Sequence, residues 1–198
     1  MKKVYFLGLA LVVGGLSANG VMAWGQHLYN SRPTASIYRD NSAELIEEGK
    51  TIYLSNYKIG GMPQSAASIG LKYSGKKYWF AGVNFNYFMD IYLDPSPDRR
   101  TAEAVAGFVE SDPQWDQTLD QTRLDNGYSL NLIGGKSWKI GDYYLSLFGN
   151  ITNVTNNQDF VTGGFEQLRY DKTNLNKFPE KVGYMMGINY FVSATLRF

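Results

Sequence analysis

The 198-residue sequence contains no cysteine and a single histidine, His27. Without cysteine the chain cannot form disulfides, zinc–cysteine sites, iron–sulfur clusters or a thiol nucleophile. One imidazole likewise excludes any mechanism that needs two histidines. An excess of charge of one sign is also lacking, because 19 Lys and Arg residues stand against 18 Asp and Glu residues. Nucleic-acid binders normally carry a basic face, so this balance argues against a nucleic-acid partner.

Aromatic side chains, by contrast, are abundant. The sequence has 15 Tyr and 11 Phe residues together with 21 Gly residues. A disordered chain would not carry this many aromatics. Aromatic residues are enriched in strands and glycine in turns, so the composition is typical of β-structure with many turns. The length is sufficient to bury a sizeable core in one or two domains.

The first 23 residues have the features of a secretory signal peptide. Lys2 and Lys3 form a basic start, an apolar stretch follows, and Ala23 ends a segment with the small residues of a cleavage site. The apolar stretch from Val4 to Val13 is too short to span a bilayer as a helix. Taken alone, residues 1–23 favour the signal peptide.

The same segment also has the pattern of a β-hairpin. Two apolar runs, 3–12 and 17–29, are joined through the Gly14-Gly15 pair. Gly-Gly between apolar runs is a hairpin signal. The remainder of the chain favours this second interpretation, because it continues as a series of strands that the hairpin would begin.

Apolar and polar side chains alternate after residue 60, and a period of two places them on opposite faces of a sheet. In the segment 78–93, the row from Trp79 to Ile91 lies on one face, whereas Asn84 and Asn86 lie on the other. The predicted strands after residue 60 are 65–73, 78–93, 127–140, 143–152 and 183–198. The only helical pattern is a possible turn at Thr101–Val109.

The connections between these strands fall into two length classes. The short turns are at 13–16, 74–77 and 141–142, and the long connections are at 31–50, 94–126 and 153–182. In an antiparallel meander, successive connections emerge at opposite ends, so all the short turns share one end. Transmembrane β-barrels of the outer membrane have this plan, with strands of about 9–11 residues.

A soluble β-sandwich is the alternative fold, because its strands alternate too. Its core would have to bury Asn84, Asn131 and Asn150, at about 1–3 kcal/mol for each amide left unpaired. A wet barrel lumen accepts these amides freely. The sequence therefore predicts an all-β chain, an antiparallel meander of about seven long strands that forms an incomplete segment of a transmembrane β-barrel.

The C-terminal strand carries the most specific local pattern. Its alternate residues are Tyr190, Val192, Ala194, Leu196 and Phe198. A terminal Phe after an alternating strand resembles the signal that the outer-membrane barrel assembly machinery recognises, a strand captured at an open sheet edge. A chance Phe after an ordinary terminal strand is the alternative.

The order of these patterns resembles the closing part of a TonB-dependent outer-membrane receptor. The similar segments include 40–101 and 112–154, and the most specific are GKKYWFAGVNFNYFMDIYLD and the terminal GINYFVSATLRF. The resemblance extends over nearly the whole chain from about Gly15. That family folds as a 22-stranded barrel with an N-terminal plug. This sequence has no plug sequence, no energy-coupling box and only about seven strands.

The resemblance implies that residues 1–198 are the C-terminal barrel portion of such a receptor, with Met1 an internal or mis-assigned start. Receptors of this family bind a scarce solute, such as an iron chelate, cobalamin or a glycan, at their outer loops. The expected location is the cell outer membrane. The expected partners are outer-membrane lipid, the barrel assembly machinery, the rest of the receptor with its plug and, through it, the TonB energy-coupling complex. The chain alone is not expected to transport.

Two other interpretations remain open at this point. The chain is either an autonomous small outer-membrane or secreted β-protein with a genuine signal peptide, acting as a binding or structural module, or a soluble sandwich adhesin. A stop codon close upstream of Met1 would favour the first of these over the receptor fragment. Recovery without detergent would favour the second.

No group of residues in the sequence has the spacing of a catalytic site, and no cofactor or metal site is predicted. Asp90, Asp94 and Asp98 could suggest a hard-cation site, but a solvated rim of acidic residues is the favoured interpretation. The candidate ligand-facing residues lie in or beside the long outer loops. They are Asp90, Tyr92, Arg99, Trp115, Phe165, Arg169 and Tyr170.

Overall fold

The computed structural model describes residues 5–39 and 41–198. Lys2 and Lys3, the basic start of the signal-like segment, lie outside the described residues. Most of the described chain is antiparallel β-sheet with two short helices, so the predicted all-β class is confirmed. The strands are β1 (Tyr5–Val13), β2 (Leu16–Trp24), β3 (Thr34–Tyr38), β4 (Leu45–Thr51), β5 (Pro63–Gly75), β6 (Trp79–Tyr92), β7 (Arg123–Leu124), β8 (Gly127–Ile140), β9 (Tyr143–Thr152), β10 (Val161–Phe165), β11 (Lys181–Tyr184) and β12 (Asn189–Arg197). The two short α-helices are α1 (Ala102–Val105) and α2 (Pro113–Leu119), and a single turn of 3₁₀-helix spans Pro97–Arg99.

Seven long strands form the main sheet in the order β1-β2-β5-β6-β8-β9-β12, and the short β7 adds to β6. Each strand pairs with the next one in the order, so the sheet is a meander. The tight turns at Gly14-Gly15, 76–78 and Gly141-Asp142 share one end. The long connections 25–62, 93–126 and 153–188 share the other, and the first and last of them contain the hairpins β3–β4 and β10–β11. The predicted division into short-turn and long-loop ends is confirmed.

One face of the main sheet is apolar from edge to edge. The strand registers join a single row of directly opposed residues across all seven strands. The row consists of Leu11, Ala18, Leu71, Val83, Leu132, Ile151 and Tyr190. Because side chains alternate along each strand, this whole row lies on the same face. We call it the outward face.

Aromatic side chains border the outward face at both ends. Near the short turns they are Tyr73, Trp79, Trp138 and Tyr143, and near the long loops they are Tyr5, Trp24, Tyr87, Tyr128 and Tyr190. Within these rows, the rings of Tyr73 and Trp79 lie 5.4 Å apart and those of Tyr5 and Trp24 stack at 5.5 Å. The eight-residue step from Trp79 to Tyr87 spans roughly 26 Å of strand at about 3.3 Å per residue.

The opposite face is concave and carries most of the polar side chains of the sheet. Its row next to the apolar one runs through Asn19, Gly70, Asn84 and Asn131. Gly70 leaves the space that the neighbouring amides occupy, because a Cβ there would lie 2.2 Å from the Asn19 Oδ1 atom. A trough of about 510 Å³ is lined from β1 to β9 on this side, so the sheet curves around it. We call this concave side of the sheet the inward face.

The main sheet is open. β1 and β12 are its edge strands, and both run from the long-loop end to the short-turn end. In the described part of the chain, no second layer covers the outward face as a sandwich would, since Trp79 and Phe85 are 39% and 40% exposed. The row that begins at Trp79 ends at Ile91, which the loops cover and which is 1% exposed. The residue before it, Asp90, has a positive φ of 55°.

Several predicted boundaries are wrong. The segment 183–198 is not one strand, because β11 pairs with β10 and only β12 returns to the main sheet. The second strand ends at Trp24 rather than residue 29, where the chain enters the loops. α2 was not predicted; it starts with Pro113, a favoured first residue, after Asp112. None of the described helices is long and apolar enough to cross a membrane.

The turn between β1 and β2 provides a test of the hairpin. Gly15 has a φ of +86°, and a Cβ there would lie 2.7 Å from the Ser74 carbonyl oxygen. Gly14 has a φ of +55° and no atom within 4 Å of such a Cβ. We expect Gly15→Ala to destabilise the protein by at least about 1–2 kcal/mol because of its backbone strain. Urea unfolding of the polypeptide expressed from its own locus, followed by tryptophan fluorescence, measures this change.

Gly14→Asn is the matched control, because asparagine tolerates the left-handed region and the site is open. It should shift the urea midpoint little. Equal effects of the two substitutions would contradict the hairpin geometry.

Candidate functional site

The three long connections pack together into one layer at the loop end of the sheet. A buried ion pair between Arg100 and Glu166 lies at its centre, and the two side chains are 0% and 1% exposed. Both terminal guanidinium nitrogens of Arg100 donate to the Glu166 carboxylate, one of them at 2.8 Å. The Ser96 N–H donates to the same carboxylate at 2.9 Å. The connections 93–126 and 153–188 are therefore joined by a charged pair that water does not reach.

The connection 25–62 reaches the same centre through an aromatic ring. The Arg100 guanidinium carbon lies 4.8 Å from the centroid of the Tyr57 ring, and the Tyr57 hydroxyl donates to the Leu119 carbonyl at 2.6 Å. Arg100 also donates to the carbonyls of Leu119 and Asp120 at the end of α2. All three loops thus contribute to one hydrogen-bonded cluster. We call it the Arg100 cluster.

Gln121 joins two of the loops beside this cluster. Its side-chain nitrogen donates to the carbonyls of Lys58 and Leu93, at 2.7 Å in each case. Its side-chain oxygen accepts from the Lys58 N–H at 2.8 Å. The Gln121 side chain therefore supplies hydrogen-bond partners for three backbone groups, the N–H and carbonyl of Lys58 and the carbonyl of Leu93.

Asp94 forms hydrogen bonds to the connection 25–62 and to β10 at the base of the loop layer. Its carboxylate accepts from the Gly60 N–H at 3.0 Å, and its backbone pairs with Gly164 and Glu166. Gly60 permits this close approach, since a Cβ there would lie 2.3 Å from the Asp94 nitrogen. Burial raises the pKa of the Tyr29 phenol, and the Asp94 carboxylate raises it further.

The structure places the candidate ligand-facing residues in three settings. Asp90 and Tyr92 end β6, where Asp90 pairs with Arg123 at 2.5 Å and Tyr92 lies opposite the same residue. Arg99 and Trp115 lie in the connection 93–126, with Arg99 almost buried and Trp115 half-buried in α2. The remaining three belong to the connection 153–188.

Of those three, Phe165 ends β10 beside Glu166 and is 52% exposed. The Tyr170 hydroxyl donates to the Ala104 carbonyl of α1 at 2.8 Å, which ties the two loops together a second time. Arg169 is exposed and lies 5.9 Å from the centroid of the Phe178 ring. Five of the seven candidates therefore belong to the loop layer proper, and their contact with a ligand stays a prediction.

The outer surface of the connection 153–188 combines cations with aromatic rings. The Lys177 ammonium lies 5.5 Å from the Phe178 centroid, and the Lys172 ammonium lies 5.2 Å from that of Phe108. Lys177 also pairs with Asp171 at 2.6 Å. Hydrogen bonds from Lys177 and Thr173 hold the pKa of Asp171 well below its usual range.

The acidic residues named as a possible cation site do not converge. Asp90 is held by Arg123, and Asp94 accepts from Gly60. Burial raises the pKa of Asp98, an effect that the nearby Lys50 partly offsets. Among the described residues there is no cluster of three or more side chains that could hold a metal ion.

Sequence reasoning missed the centre of the layer. Arg100, Glu166, Tyr57 and Gln121 make its main contacts, and none of them was a candidate. The available signal was the pair of adjacent arginines, Arg99 and Arg100, in a loop otherwise rich in acidic residues. That pair does not by itself indicate burial or a partner, and 66 residues separate Arg100 from Glu166.

An open, curved meander with tight turns at one end and packed loops at the other is the architecture of a β-barrel wall segment. No family model and no curated protein matches the sequence. Among solved structures, the chain is similar to the siderophore receptor PiuA from Acinetobacter baumannii, with a TM-score of 0.53 and 11% identity. The match covers 98% of this chain, and the chain spans 22% of the length of that receptor chain. At this identity the likeness is one of fold, and it supports the predicted resemblance to outer-membrane receptors at that level.

The Arg100 cluster makes a testable contribution to stability. Arg100→Met and Glu166→Leu each leave a buried charge without its partner, which costs about 3–5 kcal/mol in comparable pairs. In the polypeptide expressed from its own locus, we expect each single substitution to lower the urea midpoint and to speed trypsin cleavage in the connections 93–126 and 153–188. The double substitution should recover part of the loss, because no unpaired charge remains.

Lys177→Met serves as the control, because its pair with Asp171 lies at the surface. It should leave both readouts close to those of the unmodified protein. A double variant as unstable as the sum of the single variants would contradict a direct coupling between Arg100 and Glu166.

Proposed function

We propose that this chain forms the closing part of the wall and outer loops of an outer-membrane receptor for energy-coupled uptake of a scarce solute. This solute is an iron chelate, cobalamin or a glycan. The chain is not competent for transport without the rest of that receptor. The observation that carries the proposal is the outward face, an apolar band on seven strands that is bordered by aromatic rows at both ends.

The height of this band is comparable with that of the apolar band of outer-membrane barrels. Strands of outer-membrane barrels tilt by about 35–45°, so roughly 26 Å of strand between Trp79 and Tyr87 corresponds to about 20 Å along the membrane normal. The apolar band of such barrels is about 25 Å tall and is flanked by aromatic girdles. The two aromatic rows therefore suit the two membrane–water interfaces, and lipid is the partner of the outward face.

The direction of the edge strands supports the receptor fragment over an autonomous small protein. β1 and β12 both run toward the short turns, so closing the sheet on itself would pair them in parallel. Outer-membrane barrels are antiparallel throughout, and each unpaired backbone group in lipid costs several kcal/mol. Antiparallel closure therefore requires an odd number of further strands, which we assign to the rest of the receptor.

The inward face suits a protein partner or water inside the barrel. Its asparagine row, from Asn19 to Asn131, offers neutral donors and acceptors on a concave surface. We assign the plug of the receptor to this side. The TonB energy-coupling complex would act through that plug and not through the residues of this chain.

The loop layer is the proposed solute-facing surface. The likeness to a siderophore receptor favours an iron chelate among the three solute classes. Phe165 and Arg169 are the candidates that the layer leaves exposed, whereas Arg99 and Tyr170 are held within it. We therefore expect Phe165 and Arg169 to contact the solute first.

The isolated chain provides a first test. Residues 1–198 expressed alone with a secretion signal should aggregate or assemble incorrectly, because both sheet edges would meet lipid unpaired. The polypeptide expressed from its own locus should instead fractionate with the outer membrane, require detergent for extraction and migrate faster on gels when unheated.

The DNA sequence upstream of Met1 tests the same proposal independently. An in-frame plug and an odd number of further strands are expected. A stable, heat-modifiable monomer of residues 1–198 would overturn the fragment, and recovery from the soluble fraction without detergent would overturn the membrane location.

The C-terminal strand provides a second test. The outward residues of β12 are exposed along its free edge, with Tyr190 at 83% and Phe198 beyond the strand at 95%. These residues, with Val192, Ala194 and Leu196, form the proposed signal for the barrel assembly machinery. Deleting Phe198 should lower the amount of assembled receptor in the outer membrane several-fold and increase periplasmic degradation products.

Phe191→Ala is the matched control, because Phe191 lies on the inward face of the same strand. It should reduce assembly less than loss of Phe198 does. Equal assembly with and without Phe198 would contradict the proposed signal.

A further inference from the structure

The segment between Ser96 and Arg100 leaves buried hydrogen-bond donors without acceptors. Within the described residues, no acceptor lies within reach of the Ser96 hydroxyl or of the Nε atoms of Arg99 and Arg100. Buried polar groups in native proteins are nearly always hydrogen-bonded, so a group left unpaired calls for a missing partner. Arg100 is otherwise satisfied by Glu166 and by three backbone carbonyls. Arg99 is the residue whose charge has no paired anion among the described residues.

Arg99 differs from its neighbour in having no counter-ion in the part of the chain that the structure describes. Only 9% of the residue is exposed, and none of the ion pairs between described residues includes it. The adjacent Asp98 does not supply the charge, since the cation that acts on its carboxylate is Lys50. The Nε atom of this guanidinium is buried and has no acceptor among the described residues, which is unfavourable for a charged group.

We infer that Arg99 forms an ion pair with a carboxylate side chain of polypeptide outside these 198 residues, at the place where that polypeptide packs against the loop layer. This inference rests on the proposed receptor fragment. Arg100 illustrates how the layer neutralises a buried arginine, because its carboxylate comes from a different loop. A side chain suits the small exposed fraction of Arg99 better than a freely diffusing anion does, and the open sheet edges already require further polypeptide beside the layer.

Charge reversal in the complete receptor, expressed from its own locus, is the principal test. Arg99→Glu places two carboxylates together in a buried site, and we expect the heat-modifiable receptor in the outer membrane to fall by about tenfold or more. Arg39→Glu is the control, because Arg39 forms an exposed pair with Glu44. It should change assembly by less than about twofold. A library that replaces acidic residues encoded outside 1–198 by arginine should contain a substitution that restores the Arg99→Glu receptor.

Photo-crosslinking identifies the partner without relying on rescue. Benzoylphenylalanine in place of Arg99 should crosslink, on illumination of intact outer membranes, to a peptide outside residues 1–198 that carries Asp or Glu. The same group in place of Arg39 should give no such product. Crosslinks only to peptides within 1–198, together with an Arg99→Glu receptor that assembles like the unmodified one, would overturn the inference.

A free anion as the partner would also overturn it. In that case no substitution outside 1–198 restores the Arg99→Glu receptor, and inorganic phosphate or citrate raises the melting temperature of the unmodified receptor but not that of Arg99→Met. Failure of the proposed function gives a different result, because the polypeptide would then be absent from the outer-membrane fraction before any substitution is made.

Discussion

The alternation of side chains along the continuously paired strands from β2 to β12 is the constraint on which the rest of the structure depends. One row of opposed residues is apolar from Leu11 to Tyr190, and the neighbouring row carries Asn19, Asn84 and Asn131. A shift of one residue in the register of β2, β6 or β8 would exchange the faces of that strand and place Asn19, Asn84 or Asn131 among the apolar side chains. The two faces therefore require two different environments, and the curvature of the sheet assigns the wet one to the inside.

The loop layer is held together differently from the sheet, because no periodic pattern determines where its side chains lie. Its backbone groups are satisfied one by one, by Gln121, Asp94 and Arg100 among others. A buried ion pair such as Arg100–Glu166 is a weak source of net stability, since desolvation offsets most of the attraction. Its value lies in specificity, because few arrangements of the three loops could satisfy both charges at once. The layer is thereby held as one body above the sheet.

The sequence predicts the sheet well and the layer poorly for the same physical reason. Strands β8 and β9 lie where the alternation places them, and the turn at Gly141-Asp142 joins them, because a period of two is a local signal. The seven-residue α2 is too short to show a helical period. The pairing of Arg100 with Glu166 depends on how two distant loops meet, and no pattern within either loop encodes it. Arg99 was selected as a polar candidate, but its burial could not be predicted from its neighbours in sequence.

The open edges and the unpaired charge of Arg99 lead to the same requirement by separate physical routes. At the edges of β1 and β12, the unsatisfied groups are backbone amides and carbonyls, and their partners are strands of fixed direction. At Arg99 the unsatisfied group is a buried guanidinium nitrogen, and the partner that we infer for it is a carboxylate. A second copy of this chain cannot meet the first requirement in the same membrane orientation, because β12 of one copy would run parallel to β1 of the next. A different stretch of polypeptide, with an odd number of strands and an acidic residue above them, meets both.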